Sequence, residues 1–506
     1  MDTTRPTPRR ALVALASGVA VVAGAFLVTG FTPRWVAVGV AQTVLYLLPN
    51  AVLAAGIQGL GDAGQPLLLA GGGALTVALF ALLAVGTLRV TRSLARTRGE
   101  SVFAVGVVQT AAAFALTVAP LPSLVGGVCG GLVAGLGGRE MTEGLDVPRR
   151  NLLRSAGVAA GTLGLAGVLG VRDGMGSGGA GPDTDATVDD PLVEALLSTA
   201  EERSLAVPGV EGLVSSSFYE VDKNSANPRV NRESWSLRVT GAVEEPTEFD
   251  FADIAGRPAH HRFVSLRCVG DPVNGRKTDN ALWTGVPITD LVEEAGVDAE
   301  EGCCVMLRAD DGYYEEFPLE ALDGGFLAYG MNGLDLPRGH GYPVRALIPG
   351  HWGEINVKWL TEIEILEEPA TGYWEKQGWH GTGPVSTVAK IHATDTSGDS
   401  VVVGGHAYAG TRGVSAVEVS TDGGETWTEA DLSAPLPGAV AADADPADIG
   451  GEADDAWRMW RHEYDSETNH EVVARAVEAD GTVQPREERS AYPRGATGWV
   501  SVEVFP

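Results

Sequence analysis

Lysine is nearly missing from this chain: it has five, against 31 arginines in 506 residues. The deficit accompanies a formal net charge of −30. A surface so acidic and so poor in lysine stays hydrated and dispersed where salt screens charge repulsion, which is the composition expected of a protein from concentrated salt. The negative charge is also unevenly placed. Residues 1–171 hold twelve Arg, no Lys and six acids, a net of +6, so residues 172–506 carry −36. A field of that size excludes nucleic acid and anionic lipid as partners of the acidic part.

Histidine and cysteine are scarce as well. All nine His lie between residues 260 and 470, so the first 171 residues cannot supply the imidazole pair that a membrane haem of the b type needs. No Cys-x-x-Cys-His occurs either, and no haem is expected in this chain. The four cysteines are Cys129, in an apolar run, and Cys268, Cys303 and Cys304. Their spacing fits neither a disulfide framework nor a zinc site, and adjacent cysteines rarely bridge each other. Cys268 is left as a thiol to be explained by its surroundings.

What the N-terminal third does have is long uncharged runs, over 11–33, 35–61, 66–88 and 101–138. The first three are each long enough for one spanning helix of ~20 residues and the fourth for two. Pro120 and Pro122 sit where a tight hairpin would divide that fourth run. A Gly-rich run over 155–171 follows Arg149, Arg150 and Arg154, which gives five or six membrane helices in 1–171. The positive-inside rule puts those arginines, with Arg89, Arg92, Arg96 and Arg98, in the cytoplasm, so the acidic part leaves on the extracytoplasmic face of the cell membrane. Arg5, Arg9 and Arg10 ask for the same side, which three spans before Arg89 do not allow. Either one early segment is re-entrant or the N-terminus departs from the rule. Arg149-Arg150-Asn151-Leu152-Leu153-Arg154 ahead of an apolar run also resembles a twin-arginine export signal, a route for folded, cofactor-loaded proteins.

Residues 172–190 are Gly- and Asp-rich and read as a flexible linker. Over 191–368, β-rich runs (Ser236 to Val239, His261 to Leu266, Val344 to Ile348) mix with helical patches such as Ile288 to Ala295, a pattern that suggests α+β. From 369 to 506 helical runs are nearly absent. Val401 to Val403 and Val414 to Ser420 are strand-like, Asp422-Gly423-Gly424 makes a hairpin turn, and a β-sandwich is expected. The stretch 437–456, rich in Ala, Asp and Pro, reads as a solvated excursion.

Within the α+β part, Phe263-Val264-Ser265-Leu266-Arg267-Cys268-Val269-Gly270-Asp271 delivers a cysteine from a strand to a turn. Flanking Arg267 is expected to lower the thiol pKa, and a thiolate is a soft ligand for a heavy transition metal. Taken alone, the segment reads as a buried core cysteine. The longer pattern changes that reading. Asn280-Ala281-Leu282-Trp283-Thr284-Gly285-Val286-Pro287 follows, then Ala328-Tyr329-Gly330-Met331-Asn332-Gly333, His340-Gly341-Tyr342-Pro343-Val344-Arg345 and Val357-Lys358-Trp359-Leu360. In this order the motifs resemble the sulfite-oxidase family of molybdenum-cofactor enzymes, over roughly residues 215–506.

The resemblance implies a molybdopterin-binding domain over 191–368 and an immunoglobulin-like β-sandwich over 369–506 through which such chains form homodimers. It implies molybdenum bound by molybdopterin, with Cys268 as the protein ligand and Tyr329 beside the substrate. His340, Arg345 and Lys358 match residues that hold the pterin and its phosphate, and Arg494 resembles an arginine of the anion pocket. There are departures. Asp271-Pro272-Val273 stands where sulfite oxidases have arginine. Tyr219-Glu220-Val221-Asp222-Lys223-Asn224 replaces an arginine-asparagine-histidine segment, of which Asn224 is expected to keep a cofactor contact. Fewer cations favour a neutral sulfur substrate, such as a sulfoxide, over sulfite. The expected activity is oxygen-atom transfer on a small or protein-borne sulfur compound, with electrons exchanged with a separate cytochrome, quinone-linked protein or cupredoxin. Sulfite oxidation proper and a non-catalytic, membrane-anchored binding protein are the alternatives.

Overall fold

The computed structural model describes residues 8–48, 52, 56, 64–94, 96–137, 190–224, 226–297 and 302–506. The chain divides into two units, one comprising the N-terminal helices with Asp222–Arg229 and the other comprising Ala180–Val221 with Val230–Pro506.

The first unit contains α1 (Pro8–Thr29), α2 (Val36–Leu47), α3 (Gly64–Ser93), α4 (Arg98–Thr117) and α5 (Pro120–Gly137). Among the described residues three stretches, Ala11–Thr29, Leu67–Thr91 and Gly99–Thr117, are long and apolar enough to cross a membrane. The expected hairpin is present. Helix α4 opens on a capping box between Thr97 and Glu100 and ends at Val118, whose φ of 50° breaks it. Pro120 then starts α5, as suits a residue without an N–H. Small residues let these helices approach closely: a Cβ on Gly127 would overlap Thr110, and one on Gly131 would lie 3.0 Å from Gly106. The run 35–61 forms a helix only over Val36–Leu47 in its first half, shorter than a bilayer requires. The Arg149–Arg154 motif, the 155–171 run and all of the 172–190 linker except Asp190 lie outside the described residues. Asp190 itself is ordered: its carboxylate caps α6 (Pro191–Arg203) by accepting from Leu192 and Val193.

Among its described residues the second unit has four sheets. The first runs β2 (Thr247–Asp250), β1 (Ser236–Gly241), β10 (Leu360–Leu366), β5 (Cys304–Ala309), β6 (Tyr314–Pro318), with β1 parallel to β10. The second is built on the antiparallel pair β3 (His260–Arg267) and β4 (Thr278–Pro287), flanked by β7 (Phe326–Met331), β8 (Leu334–Asp335) and β9 (Arg345–Leu347). Helices α7 (Phe251–Ala255) and α8 (Ile288–Glu294) pack Ile254, Ile288 and Leu291 into the core that joins the two sheets. The strands expected around Ser236, His261 and Val344, and the helix at Ile288, are all present.

The C-terminal segment is the expected β-sandwich. One sheet holds β11 (Val388–Ala389), β12 (Ala393–Asp395), β13 (Val401–Tyr408), β16 (Asp431–Leu432) and β18 (Arg458–Tyr464). The other holds β14 (Val414–Ser420), β15 (Thr428–Glu429), β19 (His470–Glu478) and β20 (Val500–Val504), and Val403, Val417, Trp460 and Ala474 fill the space between.

One expectation is refined and one corrected. The 437–456 stretch is largely exposed, as expected, but it is anchored to the catalytic domain: β17 (Val440–Ala441) pairs with His260 and His261, and Ser265 N–H donates to Asp455. Strand β3 would otherwise offer an unpaired edge, and the excursion satisfies it. Cys303 and Cys304, adjacent in sequence, are joined as a disulfide.

Candidate active site

Cys268 is the first residue after β3. Its N–H donates to Lys277 at 3.0 Å, and Asp271 N–H donates back to its carbonyl at 3.1 Å. Asp271 closes the turn from within. One carboxylate oxygen accepts from Lys277 N–H at 3.1 Å, and the other pairs with Lys390 at 2.6 Å. Lys390 comes from the C-terminal domain and also donates to Gly275 and Thr278. Both side chains of the pair are only 1–2% exposed. The Asp-Pro-Val departure noted in the sequence therefore has a structural use: it locks the cysteine loop. Gly275 is required there, because a Cβ would overlap the Asp271 carboxylate.

Burial pushes the Cys268 thiol up to about 11, with Asp271 and Glu354 adding to the shift. This is the opposite of the depression expected from Arg267. The guanidinium of Arg267 turns toward the C-terminal domain, donating to Ser386 at 2.7 Å and lying 4.8 Å from the Trp352 ring. It is fully buried, and its Nε and Nη2 find no acceptor among the described residues. Burial lowers its pKa to about 10, so it stays charged at neutral pH.

Three of the expected cofactor residues converge. Arg345, on β9, donates to His340 and Asn356 carbonyls at 3.1 and 3.0 Å and lies over Trp283 at 5.2 Å. Lys358 donates to Gly339 at 2.8 Å. Next to it Trp359 takes a left-handed conformation with φ of 51°, backbone strain of the kind held only where surrounding contacts over-determine it. Burial, then Lys358 and Arg345, lower His340 to about 3, so its imidazole is neutral across the physiological range.

Phe218 and Tyr219, ahead of the first sheet, join this group to Cys268. Phe218 packs edge-on to His340 at 5.4 Å and to Trp283 at 5.6 Å. Tyr219 N–H donates to Asp279 at 2.6 Å. The Tyr219 phenol is held well above its ordinary pKa by burial, then by the charges of Cys268 and Asp279, while Arg345 opposes them. Sequence reasoning missed this residue as a site group; the local signal is an aromatic pair ahead of the domain's first strand.

The remaining expected residues lie elsewhere. Tyr329, on β7, points its ring at Phe251 (6.0 Å) in the hydrophobic core. Its neighbours in register are Thr284 and Gly285, whereas Arg267 pairs with Thr278 at the other end of β4. Six residues of strand separate those levels by about 20 Å, so Tyr329 does not stand beside Cys268. Asn224 belongs to the N-terminal unit, where Gln42 donates to its side chain. Arg494 is exposed, but its loop is close to the site. His380 N–H donates to Pro493 at 2.8 Å, and Gly495, with φ of +86°, sits against Trp352 so tightly that a Cβ would overlap the indole.

The donor set fits a pterin-bound soft metal: a free thiol at a strand end, with two cations and a neutral imidazole gathered behind one aromatic pair. Sequence comparisons with known proteins agree. The model of the oxidoreductase molybdopterin binding domain matches residues 224–374, and that of the Mo-co oxidoreductase dimerisation domain matches residues 384–500. The uncharacterized oxidoreductase YuiH of Bacillus subtilis is 34% identical over 151 residues, covering 29% of this chain and 74% of that protein. Sulfite oxidase of Arabidopsis thaliana is 25% identical over 60% of this chain and 91% of its own length. The chain spans about half the length of the rat and fruit-fly mitochondrial sulfite oxidases it also matches. Among solved structures, the sulfane dehydrogenase SoxCD from Paracoccus pantotrophus aligns with a TM-score of 0.45 at 21% identity, over 60% of this chain and 86% of that one.

Proposed function

Because the chain belongs to the sulfite-oxidase-type molybdenum-cofactor oxidoreductases, we propose that it transfers an oxygen atom to or from a small or protein-borne sulfur compound. In this reading it works on the extracytoplasmic face of the cell membrane, as a homodimer through its C-terminal domain. Electrons are exchanged with a separate carrier, such as a cytochrome, a quinone-linked protein or a cupredoxin. The observation that carries the reading is the free Cys268 on a loop locked by Asp271 and Lys390, next to the Tyr219, His340 and Arg345 group.

When bound, molybdenum–molybdopterin supplies two-electron oxygen-atom exchange with a sulfur lone pair. The protein's part is binding and electrostatics. Cys268 would ligate the metal; its thiol holds its proton up to about pH 11 in the bare protein, so ligation must displace that proton. Arg345 and Lys358 would hold the anionic pterin phosphate, and neutral His340 can bond to the pterin without adding charge. Asn224 and Arg494 remain candidates for a cofactor contact and an anion contact. Tyr219 keeps its proton and can donate a hydrogen bond near Cys268. Helices among the described residues that are long enough to cross a membrane would serve as the anchor.

Arg267 favours a second reading, sulfite oxidation proper. A buried guanidinium with two unsatisfied nitrogens is the kind of group that an anionic oxygen stabilises. Metal analysis tests the main reading: protein from a cofactor-competent host is expected to hold near-stoichiometric molybdenum, lost in Cys268→Ser. Absence of molybdenum from the native protein would overturn it. Sulfite oxidation and sulfoxide reduction, assayed with artificial carriers in high salt, separate the two chemistries. Arg267→Gln should raise KM for sulfite but not for a neutral sulfoxide.

A further inference from the structure

We propose that Glu315, Glu354 and Glu375 form a site for a hard divalent cation of calcium's size, distinct from the Cys268 centre, which braces the 371–381 segment against the cysteine loop. The three carboxylates come from three places: Glu315 from β6, Glu354 from the turn Gly353–Ile355, and Glu375 from the turn Glu375–Gln377 that follows β10. One oxygen from each lies within 4.8 Å of the others. Three protein carboxylates at one site suit calcium, which accepts a cage of protein oxygens, better than magnesium, which keeps several waters and takes one or two carboxylates.

The second observation concerns Glu354. It is 7% exposed, and neither of its oxygens accepts a hydrogen bond of normal geometry among the described residues. Gly381 N–H approaches it and opposes the burial, without closing such a bond. Both oxygens of Glu375 are likewise buried with no N–H or hydroxyl donor, and its carboxyl meets that of Glu315, which holds a proton between them. Lys376, beside Glu375, turns away to Tyr314 at 2.7 Å. Glu315 is fixed in place by donors from Tyr313, Glu316 and Trp374. Glycines surround the group: a Cβ on Gly372 would overlap Glu315 and Glu375, and one on Gly381 would overlap Glu354.

Three carboxylates gathered out of water must be neutralised by protons or by a metal. Burial pushes Glu354 up to about 8 and Glu315 up to about 11, so protons are the competing occupants and a dication would displace them. The site ties into the catalytic loop at two points. Glu354 follows Trp352, which covers Arg267, and a Cβ on Gly381 would touch Val269 at 2.8 Å, one residue from Cys268. Seven oxygen ligands suit calcium, and carbonyls or water would supply those beyond the carboxylates.

The test uses the full-length, molybdenum-loaded protein in concentrated potassium chloride, which suppresses loose binding to the acidic surface. Manganese titrated by electron paramagnetic resonance should show one tight site per chain, displaced by calcium. Calcium should raise the melting temperature more than magnesium does. Glu375→Gln should weaken manganese binding at least about tenfold with molybdenum content unchanged, and Glu354→Gln should do the same. The proposal is overturned if native protein and Glu375→Gln bind manganese alike and calcium leaves both melts unmoved. The carboxylates would then only share protons, and Glu375→Gln would melt at or above the native protein.

Discussion

Lys390→Met removes the cation paired with Asp271 while keeping the length and apolar stem of the side chain. Its ammonium makes three short contacts, to Asp271 at 2.6 Å, Gly275 at 2.8 Å and Thr278 at 2.7 Å. With both partners 1–2% exposed, the substitution strands a buried carboxylate, and breaking such a pair costs about 3–5 kcal/mol. At about 2–4 °C per kcal/mol, the expected fall in melting temperature is about 6–20 °C. A pair this deep is not screened, so the loss should persist in concentrated salt. Molybdenum occupancy should fall with it, because the loop that presents Cys268 loses its lock. The double variant Asp271→Asn/Lys390→Met, which strands no charge, should recover at least half of the loss. A Lys390→Met protein that melts with the native one and keeps its molybdenum would refute the argument.

Three further outcomes are expected. Tyr219→Phe should lower kcat at least about tenfold, the usual scale for losing a donor that acts at the reacting centre, without loss of molybdenum or shift of the melt; unchanged kcat would remove Tyr219 from the site. Gly495→Ala places a methyl on the Trp352 indole at a φ of +86°, and should destabilise by about 1–3 kcal/mol in a denaturant melt. Burial raises the Asp455 carboxyl to about 6, so the folded state binds more protons than the unfolded one between its ordinary value near 3.9 and 6. Its contribution to stability is therefore most favourable below that window and is lost as pH rises through it, by an amount on the order of 3 kcal/mol. Melts of Asp455→Asn from pH 4 to 7 should lack that falling component.

The two structural classes of the acidic part were legible because β-branched and apolar residues cluster in strands. The β-rich runs His261 to Leu266 and Val414 to Ser420 became β3 and β14, and the proline pair at 120 and 122 marked a real hairpin. Motif order also located His340, Arg345 and Lys358, which do converge. What the sequence could not give was the direction in which a side chain leaves a strand in a mixed sheet. A β-bulge lies between Thr284 and Gly285 where β4 meets β7, and Tyr329 faces the hydrophobic core rather than Cys268. Arg267 was misread for a similar reason. Its neighbour in sequence is the cysteine, yet its guanidinium is held by Ser386 and Trp352, so adjacency along the chain was a poor guide to electrostatic partnership. The excursion 437–456 is largely exposed, as its composition indicated, but composition does not register that β3 has an edge for it to pair with.

These corrections bear on the C-terminal domain more than on any single residue. A sandwich that served only for dimerisation would leave the catalytic loop to the domain that carries it. Instead Lys390 neutralises Asp271, Ser386 holds Arg267, and Tyr408 donates to the Ser265 carbonyl at 3.0 Å and to Asp455 at 2.7 Å. Asp455 in turn accepts from Gly350 N–H at 2.9 Å, and β17 completes the sheet that ends in Cys268. The contacts to Asp271, Arg267 and Ser265 reach within three residues of the thiol from segments more than a hundred residues away in sequence. Separating the two domains would strand the Asp271 carboxylate, the Arg267 guanidinium and the β3 edge at once, three penalties that a domain of fewer than two hundred residues could not absorb from a stability of about 5–15 kcal/mol. The cysteine loop is therefore a shared structure, and the sandwich is a part of the active site's support.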